Sequence, residues 1–317
     1  MKEQNVQIGK SGVLSTPLGL GANAVGGTNL FPNLNDETGI EVVKSALDSG
    51  IKLIDTAFMY GLGHSEELVG KAIQGYDRGS FAIATKGAQE VVNGQIKLNN
   101  DPKFLKQAVY DSLKRLHTNY IDIFYIHFPD DHTPKNEAIK ALNELKVEGV
   151  IKAIGVSNFS LDQLKEANQD DLVDIVEDRY NLVHREAETE LFPYLKEHDI
   201  SFVPYFPLAS GLLTGKYDQT NDHFPENDSR SKNPDFQGDR FKKILAAIDQ
   251  IKPLADQKQI TLAQLVLAWY IKNPNISVVI PGAKQPEQVA SNAKAMDVTL
   301  TDAEYDKIDQ AFAAFKA

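Results

Sequence analysis

Short β-rich runs alternate with longer stretches whose apolar residues recur at helical spacing, and this alternation restricts the fold more than any other feature. The runs are Leu18–Leu20, Lys52–Asp55, Phe81–Lys86, Ile121–His127, Ile151–Val156, Asp174–Glu177, Ser201–Tyr205 and Ser277–Ile280. A strand followed by a helix, repeated, builds a parallel sheet covered by helices, and about eight such strands close into a barrel. The sequence therefore predicts an α/β fold: a single (β/α)8 TIM barrel domain over residues 1–317.

Helix starts fall between the runs. Ser160 with Gln163, Thr261 with Gln264 and Thr301 with Glu304 have the spacing of capping boxes. Thr133-Pro134 predicts an N-cap followed by proline at the first helical position. Glu66 and Glu67 follow Ser65, where acidic groups suit a helix dipole. Three stretches lie outside the repeat. Residues 1–17 predict a small N-terminal hairpin closing one end of the barrel. Residues 208–238 predict a long loop after strand 7, and 301–317 an extra C-terminal helix. No linker divides the chain.

Composition excludes several functions. The formal net charge is −11, and no Lys/Arg block forms a basic stripe, so neither nucleic acid nor an anionic membrane is an expected partner. With 0 cysteines there is no disulfide, thiolate nucleophile or zinc–thiolate site. Residues 1–12 lack an apolar core, so no signal peptide is expected and the chain reads as cytoplasmic. The most apolar stretch, QLVLAWYI (264–271), is far short of the ~18 residues of a membrane span. Nothing in the sequence fixes the oligomeric state.

In a barrel of this kind the active site lies at the C-terminal ends of the strands. Those ends carry Asp55, Lys86, His127, Ser157-Asn158, Glu177 and Tyr205. A barrel built only for stability has no need of polar groups there. They suit carbonyl reduction, in which hydride reaches carbon, charge develops on oxygen and an acid supplies a proton. Tyr60, on the loop after Asp55, can be that acid if a cation lowers its pKa from about 10. Lys86 is placed to supply the charge, Asp55 to hold the ammonium, and a neutral His127 to orient the carbonyl. Taken singly, each has a plainer explanation: a structural ion pair, a core histidine, a loop tyrosine. Their joint occurrence on successive strand ends points to a site.

IDTAFMYGLGHSEELVGKAI (54–73), ATKG (84–87), IDIFYIH (121–127), GVSNFS (155–160), YFPLASGLLTGKY (205–217) and IPGAKQPEQVASN (280–292) together resemble the aldo-keto reductase superfamily. The likeness runs nearly the whole chain and is strongest to the bacterial family 11 reductases, with potassium-channel β-subunits more distant. It implies a catalytic tetrad of Asp55, Tyr60, Lys86 and His127, the four that the chemistry selects.

The resemblance implies NADP(H) as cofactor, with NAD(H) as the other candidate, and a small carbonyl or alcohol as substrate. Neither GLGAN (19–23) nor GLGHS (61–65) has the third glycine of a Rossmann loop, and GLLTGKY (211–217) falls short of a P-loop. By resemblance Ser157 and Asn158 bind the carboxamide and Tyr205 stacks on the nicotinamide. Leu208, Ser210 and Lys216 cradle the pyrophosphate, Gly282, Gln288 and Asn292 hold the adenosine end, and Lys284 meets a 2′-phosphate. Two positions depart from the family pattern. Glu177 stands where many relatives place Gln against the carboxamide, and Gln288 where many have Arg.

Other residues keep plain readings. Asp130 and Asp131 are expected in a solvated loop, and Asp170, Asp171, Asp174 and Asp178 on a solvated surface. Trp269 is expected in the core. The histidines at 64, 117, 132, 184, 198 and 223 have no metal-ligand spacing. Phe58, Phe128 and Asn23 are expected to shape an apolar substrate pocket. The rival functions are a nucleotide-binding regulatory or sensor subunit with little turnover, and a hydrolase using Asp55 and Glu177 as paired carboxylates.

Overall fold

The structure is a computed structural model that describes residues 5–218, 224 and 228–316. His223 lies outside the described residues. Two short strands, β1 (Val6–Ile8) and β2 (Val13–Ser15), pair antiparallel as the predicted N-terminal hairpin. Ile8 and Val13 pack with the residues lining the barrel, so the hairpin closes its lower end.

The barrel strands are β3 (Leu20–Gly21), β4 (Leu53–Asp55), β5 (Ala82–Gly87), β8 (Ile121–Ile126), β9 (Ile151–Ser157), β10 (Ile175–Arg179) and β11 (Ser201–Tyr205). Between β5 and β8 in the chain lies a hairpin, β6 (Gln89–Val92) and β7 (Gln95–Leu98). The seven barrel strands are parallel neighbours in chain order. The eighth run forms no continuous strand. It closes the ring through Ser277 N to Phe202 O (2.9 Å), Val279 N to Pro17 O (3.0 Å), and parallel bridges from Val279 to Leu18 and from Gly282 to Gly21. Pro281 lacks an N–H, which limits the ladder to those points.

Ten helices among the described residues cover the barrel or follow it: α1 (Asp36–Asp48), α2 (His64–Ala72), α3 (Pro102–Leu116), α4 (Lys135–Val147), α5 (Leu161–Ala167), α6 (Leu191–Glu197), α7 (Gly238–Lys258), α8 (Leu262–Lys272), α9 (Pro286–Ala293) and α10 (Asp302–Ala311). All three predicted capping boxes form, opening α5, α8 and α10. The start of α4 differs from expectation. Pro134 is itself the N-cap, because the Thr133 hydroxyl donates to Asp130 at 2.7 Å instead of capping. Trp269 is fully buried, stacked 5.6 Å from Tyr305. No described helix is long and apolar enough to cross a membrane.

Side chains alternate along each strand with period two, and this carries the apolar interior up to a polar rim. Leu53, Ala82, Ala84, Ile123, Tyr125, Ala153, Ile175 and Val203 form the inner apolar cluster. Two residues beyond the last of these on each strand stand Asp55, Lys86, His127, Glu177 and Tyr205. On β9 the series passes through Gly155, and here glycine is required. A Cβ would lie 2.2 Å from Tyr125 Cδ1, backed by the Ile175 side chain at 3.0 Å. Gly155→Ala is therefore expected to cost about 1–3 kcal/mol by overpacking, measured as a lower denaturant midpoint with an unchanged slope.

Two acidic groups expected in solvent, Asp174 and Asp130, are buried and paired, as is Glu66, expected to serve the helix dipole. Asp174 accepts from Lys146 Nζ (2.6 Å) and Ile154 N (2.8 Å). Glu66 accepts from Arg115 Nε (2.6 Å) and the Thr85 hydroxyl (2.6 Å), so it ties α2 to α3 and β5 instead of serving mainly the helix dipole. Asp130 accepts from the Asn100 and Thr133 amides (2.7 and 2.8 Å) and lies 3.3 Å from Lys135 Nζ. Burial pushes its carboxyl up, but these donors outweigh it and hold the pKa near about 2. Asp131 is exposed, as expected.

Candidate active site

At the upper rim, Lys86 is the centre of a buried polar cluster. Its ammonium donates to Asp55 Oδ1 and, at 3.1 Å, to the Thr56 carbonyl. Glu177 Oε2 stands 3.2 Å away on the opposite strand as an ion-pair contact without hydrogen-bond geometry. All three side chains are at most 3% exposed. Burial works against the Lys86 charge, but the two carboxylates outweigh it and raise its pKa, so the lysine stays protonated.

Tyr60 enters from the loop after β4. That loop is held by Phe58 N to Lys86 O (3.2 Å), Ser65 N to Tyr60 O (3.1 Å), and Asn29, whose Oδ1 accepts from Gly61 N at 2.7 Å. Gly61 has φ +69°, and a Cβ there would meet the Gly26 carbonyl oxygen at 2.2 Å, so only glycine allows this close turn. The Tyr60 ring centroid lies 5.5 Å from Lys86 Nζ and 6.2 Å, edge-on, from the His127 ring.

The electrostatics correct one expectation. Lys86 does act to lower the phenol's pKa, yet the net shift is upward. Burial is the largest cause, and the charges of Asp55 and Glu177 add to it. The Lys86 ammonium opposes the shift, but burial and the two carboxylates together outweigh it. Tyr60 is thus held in its protonated form, as an acid must be before the proton moves. His127 is neutral as expected, because burial and then Lys86 push its pKa down to about 3. Its Nδ1 is buried without a hydrogen-bond partner.

The expected nucleotide residues fall into a linked array and two outlying groups. Asn158, at φ +60°, donates to the His127 carbonyl (3.0 Å) and the Ser157 hydroxyl (2.9 Å). It also accepts from the Tyr205 hydroxyl at 2.9 Å. Leu208 and Ser210 lie in a tight turn after β11 where Phe206, Ala209, Ser210 and Gly211 all have positive φ, the kind of backbone that forms anion-binding nests. The Lys216 ammonium folds over this turn, and a Cβ on Gly211 would meet its Nζ at 2.8 Å. Gly282 pairs with Gly21 at the barrel seam, and Asn292 is buried in α9. Lys284 is exposed, its Nζ 4.5 Å from the Phe31 ring centroid.

Two expected cofactor contacts are otherwise engaged. Gln288 Oε1 accepts from the Lys284 and Gln285 amides (2.8 and 3.2 Å), capping α9. Glu177 faces Lys86 and so is drawn into the tetrad. One residue escaped the sequence reading: Arg230, which binds Asp228 and the Tyr217 hydroxyl, with Lys284 acting on the same Asp228 carboxylate. Its signal, a lone arginine in a polar loop, has no distinctive spacing.

A cavity of about 420 Å³ lies beside this array, lined by Arg179, His184, Tyr205, Phe206, Ser210 and Asp235, among others. A wider hollow of about 620 Å³, lined by Ile73, Tyr76, Arg78 and His117 among others, contains none of the tetrad. The chemistry lies at the strand ends, and so does the site. Among the described residues no group of three or more His, Cys, Asp or Glu is arranged to hold a metal ion.

A parallel barrel with a buried Asp–Lys pair, a tyrosine and a neutral histidine at its rim defines an oxidoreductase-type site. The model of the Aldo/keto reductase family matches residues 17–313. The chain is 38% identical over 296 residues to the aldo-keto reductase YhdN of Bacillus subtilis (strain 168), covering 92% of this chain and 88% of that protein. It is 33% identical over 315 residues to the NADH-specific methylglyoxal reductase of Escherichia coli (strain K12), covering 95% and 96%. The solved structure of the glycerol dehydrogenase AKR11B4 from Gluconobacter oxydans superposes with a TM-score of 0.90 at 33% identity, over 99% of this chain and 96% of that one. The chain belongs to the aldo/keto reductase family.

Proposed function

We propose that this protein, acting as one barrel domain over residues 1–317, is an NADP(H)-dependent reductase of small aldehydes and ketones in which Tyr60 supplies the proton. The observation that carries this reading is the buried Lys86 ammonium set between Asp55, Glu177 and Tyr60, with a neutral His127 beside the phenol. The nicotinamide, when bound, supplies the hydride. Tyr60 holds a proton for the carbonyl oxygen, and positioned acid catalysis of this kind is worth ~10²–10⁴-fold. His127, uncharged, donates a hydrogen bond that orients the carbonyl. Lys86 stabilises the phenolate left when the proton has gone. Phe58, Phe128 and Asn23 border the substrate.

For the nucleotide, Ser157 and Asn158 meet the carboxamide and Tyr205 the nicotinamide ring. Leu208, Ser210 and Lys216 take the pyrophosphate, the Lys216 ammonium supplying charge over a turn rich in positive φ. Gly282, Gln288 and Asn292 border the adenosine. Lys284, exposed, offers a cation to a 2′-phosphate, and Arg230 stands near it across Asp228. Absence of cysteine fits action in the reducing cytoplasm.

A fluorescence titration with NADPH and NADH, followed by turnover of a carbonyl panel, tests the reading. Tighter binding of NADPH is expected. Lys284→Ala is expected to weaken NADPH about tenfold, the loss of one charge-assisted contact of about 1.5 kcal/mol, while leaving NADH nearly unaffected. Equal weakening of both nucleotides removes Lys284 from that role. Tight nucleotide binding without turnover of any carbonyl favours the sensor function instead.

A further inference from the structure

Asp55 and Glu177 reach Lys86 from opposite sides of the barrel, and both carboxyls close on its single ammonium, Glu177 Oε2 at 3.2 Å. One ammonium cannot satisfy both carboxyls: it donates to Asp55 Oδ1 and meets Glu177 Oε2 only as an ion-pair contact. Asp55 Oδ2 and Glu177 Oε2 are indeed buried with no hydrogen-bond partner. With both ionised, two negative charges would share one ammonium in a fully buried site, leaving a net charge of −1 where charge is most costly. A proton held between the two carboxyls supplies the missing donor and makes the cluster neutral.

We propose that Glu177 is a positioning residue of the reaction: it shares one proton with Asp55 across Lys86, and loss of that proton at alkaline pH suppresses proton delivery by Tyr60. This rests on the reductase reading above. The suppression follows from charge. Tyr60 becomes a phenolate as it gives up its proton, and an extra negative charge on Glu177 opposes that step. Burial, followed by the Asp55 charge, pushes the Glu177 carboxyl up to about 8, well above its usual range.

The charged and titratable groups that interact with Glu177 are Asp55 on β4, Lys86 on β5, Tyr125 on β8, Tyr205 on β11, and Tyr60, with His127 beyond the end of β8 facing Lys86. Asp178 and Arg179 follow it on β10. His127 stays neutral down to about 3, and burial pushes the Tyr205 phenol up to about 12. Tyr60 and Tyr125 are raised above their ordinary values, and Lys86 stays charged. Glu177, whose carboxyl is pushed up to about 8, is therefore the group of this cluster whose proton is lost in the alkaline range. Glutamine at position 177 would have an N–H donor at every pH; glutamate has an O–H donor only while protonated.

The test has two arms. In the first, kcat/KM for reduction of 4-nitrobenzaldehyde by NADPH is measured from about pH 6 to about pH 10. The wild type is expected to lose activity about tenfold per pH unit above about 8. Glu177→Gln, whatever its rate at neutral pH, is expected to lose this limb and change less than about threefold over the same range. Glu177→Asp is expected to restore a limb at a displaced pH. In the second arm, infrared difference spectra of the free protein follow the carboxyl band. A protonated carboxylic acid that disappears near pH 8 and is absent from Glu177→Gln supports the shared proton. An unchanged limb in Glu177→Gln, or no such band in the wild type at neutral pH, overturns the proposal. If the wild type fails to reduce the aldehyde, the reductase reading fails, and the infrared arm still decides the shared proton.

Discussion

Tyr60→Phe is expected to lower kcat/KM for aldehyde reduction by ~10²–10⁴-fold, about 3–5.5 kcal/mol of transition-state stabilisation. The substitution removes one oxygen and keeps the ring. The loop that carries it is held by backbone contacts and Asn29, none of which uses the phenol. Nucleotide affinity should therefore change little, and the loss should appear mainly in kcat. Stopped-flow measurement of NADPH binding beside steady-state turnover separates the two. Full activity in this variant removes Tyr60 from the mechanism.

Lys86→Met is expected to damage both activity and stability. Methionine fills a similar volume but leaves Asp55 and Glu177 buried against each other without a cation. Removing one partner of a buried ion pair costs about 3–5 kcal/mol, read as a lower denaturant midpoint. Activity should fall by ~10²–10³-fold or more, because the phenolate loses the charge that stabilises it. Lys86→Arg should not rescue the enzyme, since a planar guanidinium does not fit between two carboxyls and the Thr56 carbonyl packed around a compact ammonium.

The fold and the rim positions of Asp55, Lys86 and His127 were legible in the sequence for one physical reason. Strand side chains alternate with period two, so a run that buries its lower residues brings a polar residue to the rim at a fixed step. Asp55 stands two beyond Leu53, Lys86 two beyond Ala84, and His127 two beyond Tyr125. Capping boxes were readable because their partners are three residues apart. Ser277–Ile280, in contrast, resembles the other runs in composition, and only the chain geometry at Pro281 shows why its ladder is broken.

What escaped depends on distant partners. Asp130 finds the Asn100 amide 30 residues away, Asp174 finds Lys146 at 28, and Glu66 finds Arg115 at 49. Local sequence gives no hint of such pairs, so Asp130 and Asp174 read as solvated and Glu66 as a helix-dipole group. The upward shift of Tyr60 was hidden similarly, because it comes first from burial of the phenol, which only the closed barrel rim creates. The hairpin of β6 and β7 was readable. Asn93-Gly94 sits at its tip with φ of 52° and 77°, the turn that Asn-Gly favours.

The central claim is that a carbonyl oxygen is met at these strand ends by the Tyr60 phenol beside a nicotinamide. A crystal structure with NADP+ and an unreactive carbonyl analogue tests it most directly. The nicotinamide should lie against Tyr205, with the analogue's oxygen about 2.6–3.2 Å from both the Tyr60 hydroxyl and a His127 ring nitrogen. A nucleotide bound away from this rim, or an oxygen out of reach of Tyr60, would contradict the account.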